Sequence, residues 1–307
     1  MTSWLITGAT GLLGGNAVEQ LSSNNEVTGV SRAVPTNVPV PFASVDISSA
    51  IGRDGLVDRT QPSVVLHSAA ISSIEECAAN PELAWEVNVA ASADLAGQAA
   101  RANAAFVYIS TDAVFDGSKG AYTERDEPTP NTDYGRTKLA GERAVLEANP
   151  KALVARVNFY GWSPTGRRSL AEFFHTRLAR GEKVNGFTDT VVSTLYVGDL
   201  VDSIERLVAV GASGIVNVVS SEPTSKFDFG RSLATAFGFD ADLVQPALST
   251  DFLSVKRGSR LDLDTSKIAG LLGHAPANQQ QGIDHLAADY AAGRPAAVGA
   301  YNTQKEA

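Results

Sequence analysis

Tyr134 and Lys138 stand four residues apart in the stretch Tyr-Gly-Arg-Thr-Lys, a spacing that puts both side chains on one face of a helix. A phenol has an ordinary pKa of about 10, and a neighbouring ammonium lowers it by stabilising the phenolate. Such a pair can protonate a carbonyl oxygen during reduction, or deprotonate an alcohol in reverse. Thr111 follows the apolar run 106–109 and can hydrogen-bond the same substrate oxygen. The three residues predict a catalytic site for carbonyl or alcohol chemistry.

A glycine-rich turn is the second feature that could do chemistry. Its glycines at positions 8, 11 and 14 follow the short apolar run 4–6 and precede an amphipathic stretch. Such a turn lets backbone N–H groups and a helix N-terminus approach a pyrophosphate, although the spacing differs from the G-x-G-x-x-G of ordinary dehydrogenases. The turn therefore predicts a dinucleotide site, whose contacts are Gly8, Thr10, Gly11, Leu12, Leu13 and Gly14.

The end of the second apolar run indicates which dinucleotide binds. An acidic residue after Val30 would bind the ribose hydroxyls of NAD. The chain instead has Ser31 and Arg32 there, a hydroxyl and a guanidinium that suit the 2′-phosphate of NADP. The sequence predicts NADP as the cofactor, with NAD the less favoured alternative.

Alternating elements must position these groups. Short apolar runs alternate with amphipathic stretches through the first half, and a helix is predicted from about Thr132 to Asn149, with Pro150 as its stop. This alternation of predicted strands and helices predicts an α/β fold, a Rossmann doubly wound parallel sheet with a smaller C-terminal α/β substrate region. The predicted units are an NADP-binding domain over 1–160, to which 190–220 return, a substrate-binding region over 161–189 and 221–290, and a flexible tail over 291–307.

Composition narrows the function classes. The net charge of −9 argues against a nucleic-acid partner, which would require a basic face. No apolar run is long enough to predict a membrane span. No pair of histidine and cysteine has metal-ligand spacing, so no metal site is predicted. Cys77 is the single cysteine, so the chain cannot form an internal disulfide. The absence of disulfides is typical of proteins of the reducing cytoplasm, and we expect that location.

Four motifs together resemble the extended short-chain dehydrogenase/reductases. They are Thr7 to Gly14, His67 to Ala70, Ser110 to Asp112 and Tyr134 to Lys138. The longer pattern from Ser110 through Gly141 and Glu142 is most similar to the dTDP-4-dehydrorhamnose reductase group, as are the stretches 80–88 and 260–267. The resemblance runs over most of the chain.

The resemblance implies hydride transfer from NADPH to a keto group of a nucleotide-linked sugar. It implies Thr111, Tyr134 and Lys138 as the catalytic triad, with Tyr134 as general acid and with Tyr134 and Lys138 also contacting the cofactor. Relatives of this kind often form dimers, so a homodimer is also expected. The further cofactor contacts that it implies are Asp46, Ile47, Ser68, Ala69, Ala70 and Asn88.

Departures from the family pattern leave two alternatives open. Ala113 follows Asp112 where nucleotide-sugar 4,6-dehydratases have glutamate, and no cysteine of the epimerase-reductase kind lies near. These differences argue against an epimerase or dehydratase without removing it as an alternative. A non-catalytic NADP-binding regulatory subunit is the other, because some relatives of the reductase group are partners of another enzyme.

The substrate is expected beyond the carboxyl ends of the strands. Basic residues near the connections 158–168 and 254–260 could bind a nucleotide diphosphate, since guanidinium groups pair with phosphate oxygens. Aromatic residues there could stack on a base or a sugar. The predicted substrate contacts are Asp112, Asn158, Phe159, Trp162 and Arg257.

Overall fold

The computed structural model describes residues 1–36, 38–252 and 258–303, and these are the residues meant below. Its strands, numbered in chain order, are β1 (Ser3–Thr7), β2 (Glu26–Ser31), β3 (Phe42–Ser44), β4 (Val64–His67), β5 (Ala105–Thr111), β6 (Leu153–Val157), β7 (Phe159–Tyr160), β8 (Val184–Phe187), β9 (Val191–Val192), β10 (Leu195–Tyr196), β11 (Gly214–Val218), β12 (Thr224–Ser225) and β13 (Val244–Ala247).

The α-helices are interrupted by a π-helical turn at Glu86–Ala90 and by short 3₁₀ turns, the first at Asp112–Val114. They are α1 (Leu12–Leu21), α2 (Ala50–Arg53), α3 (Leu56–Thr60), α4 (Ile74–Ala79), α5 (Pro81–Trp85), α6 (Ala91–Arg101), α7 (Asp133–Ala148), α8 (Leu170–Leu178), α9 (Val197–Ala209), α10 (Lys226–Ala236), α11 (Ser266–Leu272), α12 (Gln279–Ala291) and α13 (Arg294–Gly299).

Seven parallel strands form the main sheet in the order β11-β6-β5-β4-β1-β2-β3. The last six have the doubly wound order of a Rossmann fold, and β11 extends the sheet beyond β6. The predicted fold class is confirmed. Parallel strands are buried on both faces, which explains why β4 begins with three apolar residues in a row and is buried throughout.

Helices cover both faces of this sheet and build two cores. On one face α1 packs against α9, and their apolar residues join a large cluster that extends through α8, α10 and α12. On the other face α6 packs against α3 and α7. The sheet thus lies between two layers, and α7, the helix of Tyr134 and Lys138, lies against β5, the strand that ends in Thr111.

Smaller strand pairs lie outside the main sheet. β8 pairs with β13, β9 with β12, and β7 with β10. α10 packs against α8, α12 and the β8–β13 pair. Residues 190–220 contribute α9, which packs against α1, and β11, which pairs with β6.

The segment after α12 differs from the flexible tail predicted for 291–307. Residues 294–299 form α13, whose Val298 is fully buried, and Tyr301 is fully buried as well. The Tyr301 hydroxyl donates to Glu19 of α1 at 3.0 Å, and Arg294 donates to Asn16 of the same helix. No helix among the described residues is long and apolar enough to cross a membrane.

Candidate active site

The glycine turn between β1 and α1 has room only for glycine at two positions. Gly8 has a φ of +68°, in the left-handed region that favours glycine. A Cβ on Gly14 would lie 2.1 Å from the Gly8 carbonyl oxygen. Gly11 is the N-cap of α1 and provides no side-chain acceptor, so the first N–H groups of the helix have no side-chain cap. A turn built this way fits a pyrophosphate, which such N–H groups bind.

The predicted cofactor contacts in this turn differ in how far they are exposed to a ligand. Thr10 and Gly11 are half-buried in the turn, and Leu12 is half-buried at the first position of α1. Leu13 is buried in the core, so only its backbone remains for a cofactor.

A hydrogen-bonded chain holds the turn against the end of β4. The Thr7 hydroxyl lies 2.7 Å from His67 Nδ1, and His67 Nε2 lies 2.9 Å from the Ser92 hydroxyl. Ser68 donates to the Thr7 carbonyl at 2.6 Å, and a Cβ on Gly8 would lie 2.8 Å from the Ala69 backbone. Burial lowers the pKa of His67 to about 3. The imidazole is therefore neutral at physiological pH and links β1, β4 and α6.

The predicted adenosine end of the site lies beyond β2. Ser31 ends that strand, and its hydroxyl donates to the Ala33 carbonyl at 2.7 Å, while Arg32 is exposed. The exposed Asp46 accepts hydrogen bonds from Ser48, and these, together with the nearby Arg32, lower its pKa. Ile47 is buried beside Ala69, whereas the predicted contact Ala70 is exposed.

Asn88 connects the loop after β4 to α7. It is fully buried in the π-helical turn, accepts from the Ile71 N–H at 2.9 Å and donates to the Ile71 carbonyl at 3.0 Å. It also donates to the Thr137 hydroxyl of α7 at 3.0 Å. Its own carbonyl accepts from the Tyr108 hydroxyl. These direct contacts join the loop after β4 to α7 and β5, and the role of Asn88 as a cofactor contact stays a prediction.

The helix that carries Tyr134 and Lys138 begins where sequence predicts. Thr132 is its N-cap and accepts from the Gly135 N–H, and its last α-helical residue is Ala148. A Cβ on Gly135 would lie 2.2 Å from the Ala113 carbonyl oxygen, so a glycine lets α7 approach the turn after β5. The Lys138 ammonium lies 3.9 Å from the centre of the Tyr108 ring.

The titration of this pair differs from the expected lowering of the Tyr134 pKa. Burial raises the pKa of Tyr134 well above its usual value, opposed by a hydrogen bond with Thr111. Burial lowers the pKa of Lys138 to about 7, opposed by the Glu142 carboxylate. The cost of removing both groups from water therefore outweighs the attraction between the ammonium and a phenolate that the i, i+4 spacing predicts. The phenol is thus protonated at neutral pH, as a general acid requires.

Thr111 and Asp112 close the carboxyl end of β5. The Thr111 hydroxyl accepts from the Ala113 N–H at 3.1 Å and donates to Asp112 at 3.0 Å. Asn158, which follows β6, donates to the other Asp112 oxygen at 2.5 Å. Burial raises the pKa of Asp112 to about 6. The carboxyl group of Asp112, at this edge of the sheet, therefore gains its negative charge just below neutral pH.

These residues line one pocket of about 350 Å³, a size typical of small-molecule sites. The predicted residues in its wall are Thr111, Asp112, Tyr134, Asn158 and Phe159. The loop after β4 contributes Ser72 and Ser73, so the loop that touches the glycine turn also forms part of this wall. Further lining residues that sequence reasoning missed are Leu170, Thr190, Val192, Thr194 and Lys226. They come from the second half, where no motif indicates which residues face the pocket.

Two predicted substrate contacts are not in this wall. Trp162 is buried in an aromatic cluster with His175, Phe237 and Tyr290, and its indole N–H donates to the Leu286 carbonyl. Its size and apolar character favour core packing over stacking on a ligand. Arg257 lies outside the described residues.

The chain matches a family model described as the RmlD substrate binding domain, over residues 2–292. Among curated proteins it is 34% identical over 274 residues to a probable low-salt glycan biosynthesis reductase of Haloferax volcanii, covering 87% of this chain and 91% of that protein. It is 31% identical over 277 residues to methionine adenosyltransferase 2 subunit beta of Mus musculus, covering 87% and 81% of the two chains.

Among solved structures, the chain is similar to a dTDP-4-dehydrorhamnose reductase of Bacillus anthracis in complex with NADP. The TM-score is 0.83 at 23% sequence identity, and the match covers 93% of this chain and 98% of that one. At this identity the likeness concerns the fold, and it agrees with the sheet order described above.

Proposed function

The chain belongs to the family of the RmlD substrate binding domain and is an NAD(P)-dependent oxidoreductase, and on that premise we propose that it reduces a keto group of a nucleotide-activated sugar. The observation that carries the proposal is the pocket in which Tyr134, Thr111 and Asp112 meet. A phenol, a hydroxyl and a carboxyl group face one space, beside a loop that also contacts the glycine turn. Tyr134 faces this space, whereas Lys138 follows it on α7 and does not line the pocket.

NADPH is the proposed cofactor, and it supplies the hydride when bound. The glycine turn and the N-terminus of α1 would hold its pyrophosphate, because their N–H groups have no side-chain cap and the turn excludes a Cβ. Arg32 would pair with the 2′-phosphate. The Lys138 ammonium would bind the nicotinamide ribose.

The proton comes from this chain. Tyr134 is protonated at neutral pH because burial raises its pKa, so it can donate to the carbonyl oxygen as negative charge develops there. Thr111 orients the same oxygen. Its own hydroxyl is fixed by the Ala113 N–H and by Asp112, which limits the positions that the oxygen can take.

The substrate would be a sugar linked to a nucleoside diphosphate, with dTDP-4-dehydrorhamnose an example suggested by the names of relatives. The pocket volume suits the sugar, and Asp112 with Asn158 offers hydrogen-bond partners for its hydroxyls. Lys226 is a cation in the same wall and is a candidate contact for phosphate. A cytoplasmic location and a homodimer stay predictions.

Of the alternatives of an epimerase and a dehydratase on this fold, the wall argues against the dehydratase. Ala113 lines the pocket where a dehydratase requires a second carboxyl group. Such enzymes also regenerate their cofactor, whereas a reductase consumes NADPH stoichiometrically.

The test is NADPH oxidation against a panel of nucleotide-linked keto sugars. We expect one NADPH consumed per sugar reduced, and we expect Tyr134→Phe to lower kcat by about 10²-fold or more with NADPH affinity nearly unchanged. Tyr290→Phe is the control, because that tyrosine lies outside the pocket wall. Full activity of Tyr134→Phe would remove the phenol from the mechanism.

A subunit role is the second candidate, favoured by the likeness to methionine adenosyltransferase 2 subunit beta. In that case the chain binds NADP and a partner enzyme without turnover. A partner captured in constant stoichiometry, together with no oxidation of NADPH on the whole sugar panel, would decide for this role. Turnover on any one sugar would decide for the reductase.

A further inference from the structure

A buried arginine at the end of α2 holds three groups at once. Arg53 is 6% exposed, although a charged group is costly to remove from water. Its Nε donates to Asp94 of α6 at 2.9 Å, and its Nη1 donates to Glu86, the first residue of the π-helical turn, at 2.7 Å. The same Nη1 donates to the Ile47 carbonyl at 2.9 Å. The two carboxylates therefore fix the guanidinium, which in turn fixes one backbone carbonyl.

This carbonyl belongs to a peptide unit that is held at both edges. The bond between Ile47 and Ser48 is trans, since the described residues contain no cis peptide bond. In a planar trans peptide the C=O and the N–H point in opposite directions. The Ile47 carbonyl points inward to Arg53, and the Ser48 N–H donates to Asp46 Oδ1 at 3.0 Å. Arg53 and the Asp46 carboxylate thus hold opposite edges of one peptide plane.

The Asp46 carboxylate is exposed and offers its second oxygen to a ligand. The Ser48 N–H and the Ser48 hydroxyl, at 2.7 Å, both donate to Oδ1, so Oδ2 is the oxygen that a ligand's donor can meet. The hydrogen bond from the Ser48 hydroxyl lowers the pKa of Asp46. The group is therefore ionised at neutral pH and only accepts hydrogen bonds.

This carboxylate lies where the base of the proposed cofactor would be. Two residues before Asp46, the Ser44 hydroxyl donates to the carbonyl of Arg32, the proposed contact of the 2′-phosphate, at 3.1 Å. On its other side Ile47 packs with Ala69, whose backbone borders the glycine turn. A base on the ribose that carries the 2′-phosphate would therefore lie against this segment. Adenine carries a 6-amino group, a donor that suits a carboxylate.

We propose that Arg53 is a positioning residue for the base of the cofactor, because through the Ile47–Ser48 peptide it holds the Asp46 carboxylate toward the 6-amino group of adenine. This inference rests on the proposed function, which takes NADPH as the ligand. Arg53 is buried and acts only through Asp46. The arrangement selects adenine over a purine that has an oxygen at position 6.

A purely structural arginine would act on every cofactor alike. Loss of the contacts with Glu86 and Asp94 would loosen α2 and weaken the binding of any dinucleotide, but it would not change the preference for one base over another. The ratio of two affinities, rather than either affinity alone, is therefore the quantity that tests the inference.

The experiment titrates two cofactors by the fluorescence of their shared reduced nicotinamide. One is NADPH, and the other is reduced nicotinamide hypoxanthine dinucleotide phosphate, in which a carbonyl oxygen replaces the 6-amino group. The wild type should bind NADPH about 10-fold more tightly, because the analogue lacks a hydrogen bond to a charged group and sets two acceptors against each other. In Arg53→Met this ratio should fall by about 5-fold, because the amino group then meets no fixed acceptor.

Two further variants protect the comparison. Arg59→Met is the matched control, because Arg59 is a neighbouring arginine that donates to the Asp54 and Gly52 carbonyls and not to Ile47. It should keep the wild-type ratio. The triple variant Arg53→Met, Glu86→Gln and Asp94→Asn guards against unfolding of Arg53→Met, because it leaves neither carboxylate without its cation. It should show the same fall in the ratio.

Asp46→Ala identifies the group through which Arg53 acts. It should remove the preference for adenine, and Arg53→Met added to it should change the ratio no further, because two residues that serve one contact are not additive. An unchanged ratio in Arg53→Met, or in the triple variant if only that one folds, overturns the inference, as does a further change in the double variant. A wild-type chain that binds no NADPH overturns the proposed function and this inference together, whereas NADPH binding without a preference for adenine overturns only the inference.

Discussion

Single residues in this chain gain their properties from burial more than from sequence neighbours. The spacing of Tyr134 and Lys138 predicts an acidic phenol, yet burial raises the pKa of that phenol and lowers the pKa of the lysine to about 7. Both shifts favour the neutral form, as desolvation does. In the proposed reduction the donor must be a protonated phenol, and the raised pKa of Tyr134 is consistent with that role.

Arg32 offers a prediction at the same scale. Arg32→Asp should raise the dissociation constant of NADPH by about 10- to 100-fold, because a charge-assisted contact contributes about 1.5–3 kcal/mol and the new carboxylate repels phosphate. NADH should bind as well as before or better. The control is Arg180→Asp, an exposed arginine at the end of α8. Both dissociation constants can be measured by fluorescence titration. If the ratio of NADPH affinity to NADH affinity is the same in Arg32→Asp as in the wild type, the proposed contact between Arg32 and the 2′-phosphate is contradicted.

Elements were more predictable than the contacts between them. The helix expected from Thr132 to Asn149 is observed as α7 with Thr132 as its cap, because a capping hydroxyl and a following proline are local signals. The parallel sheet is likewise evident from the alternation of apolar runs.

Contacts between residues far apart in the sequence have no comparable local signal in the sequence. Trp162 was expected at the substrate but packs in the core, and Lys226 and Thr194 reach the pocket from 115 and 83 residues beyond Thr111. Which face of a short strand or a helix turns toward a pocket depends on tertiary packing. The ion pair of Glu142 and Arg156 depends in the same way on how α7 crosses β6.

Gly14→Ala tests the turn between β1 and α1. The added Cβ would lie 2.1 Å from the Gly8 carbonyl oxygen, so the turn must shift, and we expect loss of NADPH binding together with a lower melting temperature. Gly270→Ala is the matched control, because it also lies within a helix but its Cβ would meet open space. That substitution should raise stability by about 0.5–1 kcal/mol. Normal NADPH affinity in Gly14→Ala, measured by calorimetry, would show that the turn tolerates a side chain.

At the scale of the whole molecule, the last described segment supports the first helix. Arg294 donates to Asn16 and Gln20, and the Tyr301 hydroxyl donates to Glu19. Tyr301 also contacts the Phe42 ring, with centroids 6.2 Å apart. The last described segment therefore contacts α1, the helix whose N-terminus would hold the cofactor.

Tyr301→Ala should lower the free energy of unfolding by about 3 kcal/mol, because it removes a fully buried aromatic ring and leaves a cavity. Ile51→Ala is the control, since Ile51 is 90% exposed and its loss should change little. Denaturant unfolding followed by circular dichroism measures both. Equal stability of the two variants would mean that this segment contributes nothing to the fold.

The contacts between α1 and the segment 294–301 also order events during synthesis. Asn16 and Arg294 are 278 residues apart, so the ribosome has made nearly the whole described chain before this support can dock. Domains generally begin to fold as they emerge. The contacts of α1 with this segment can therefore form only after translation has passed Tyr301, later than the pairing of β1 with β2 and β4.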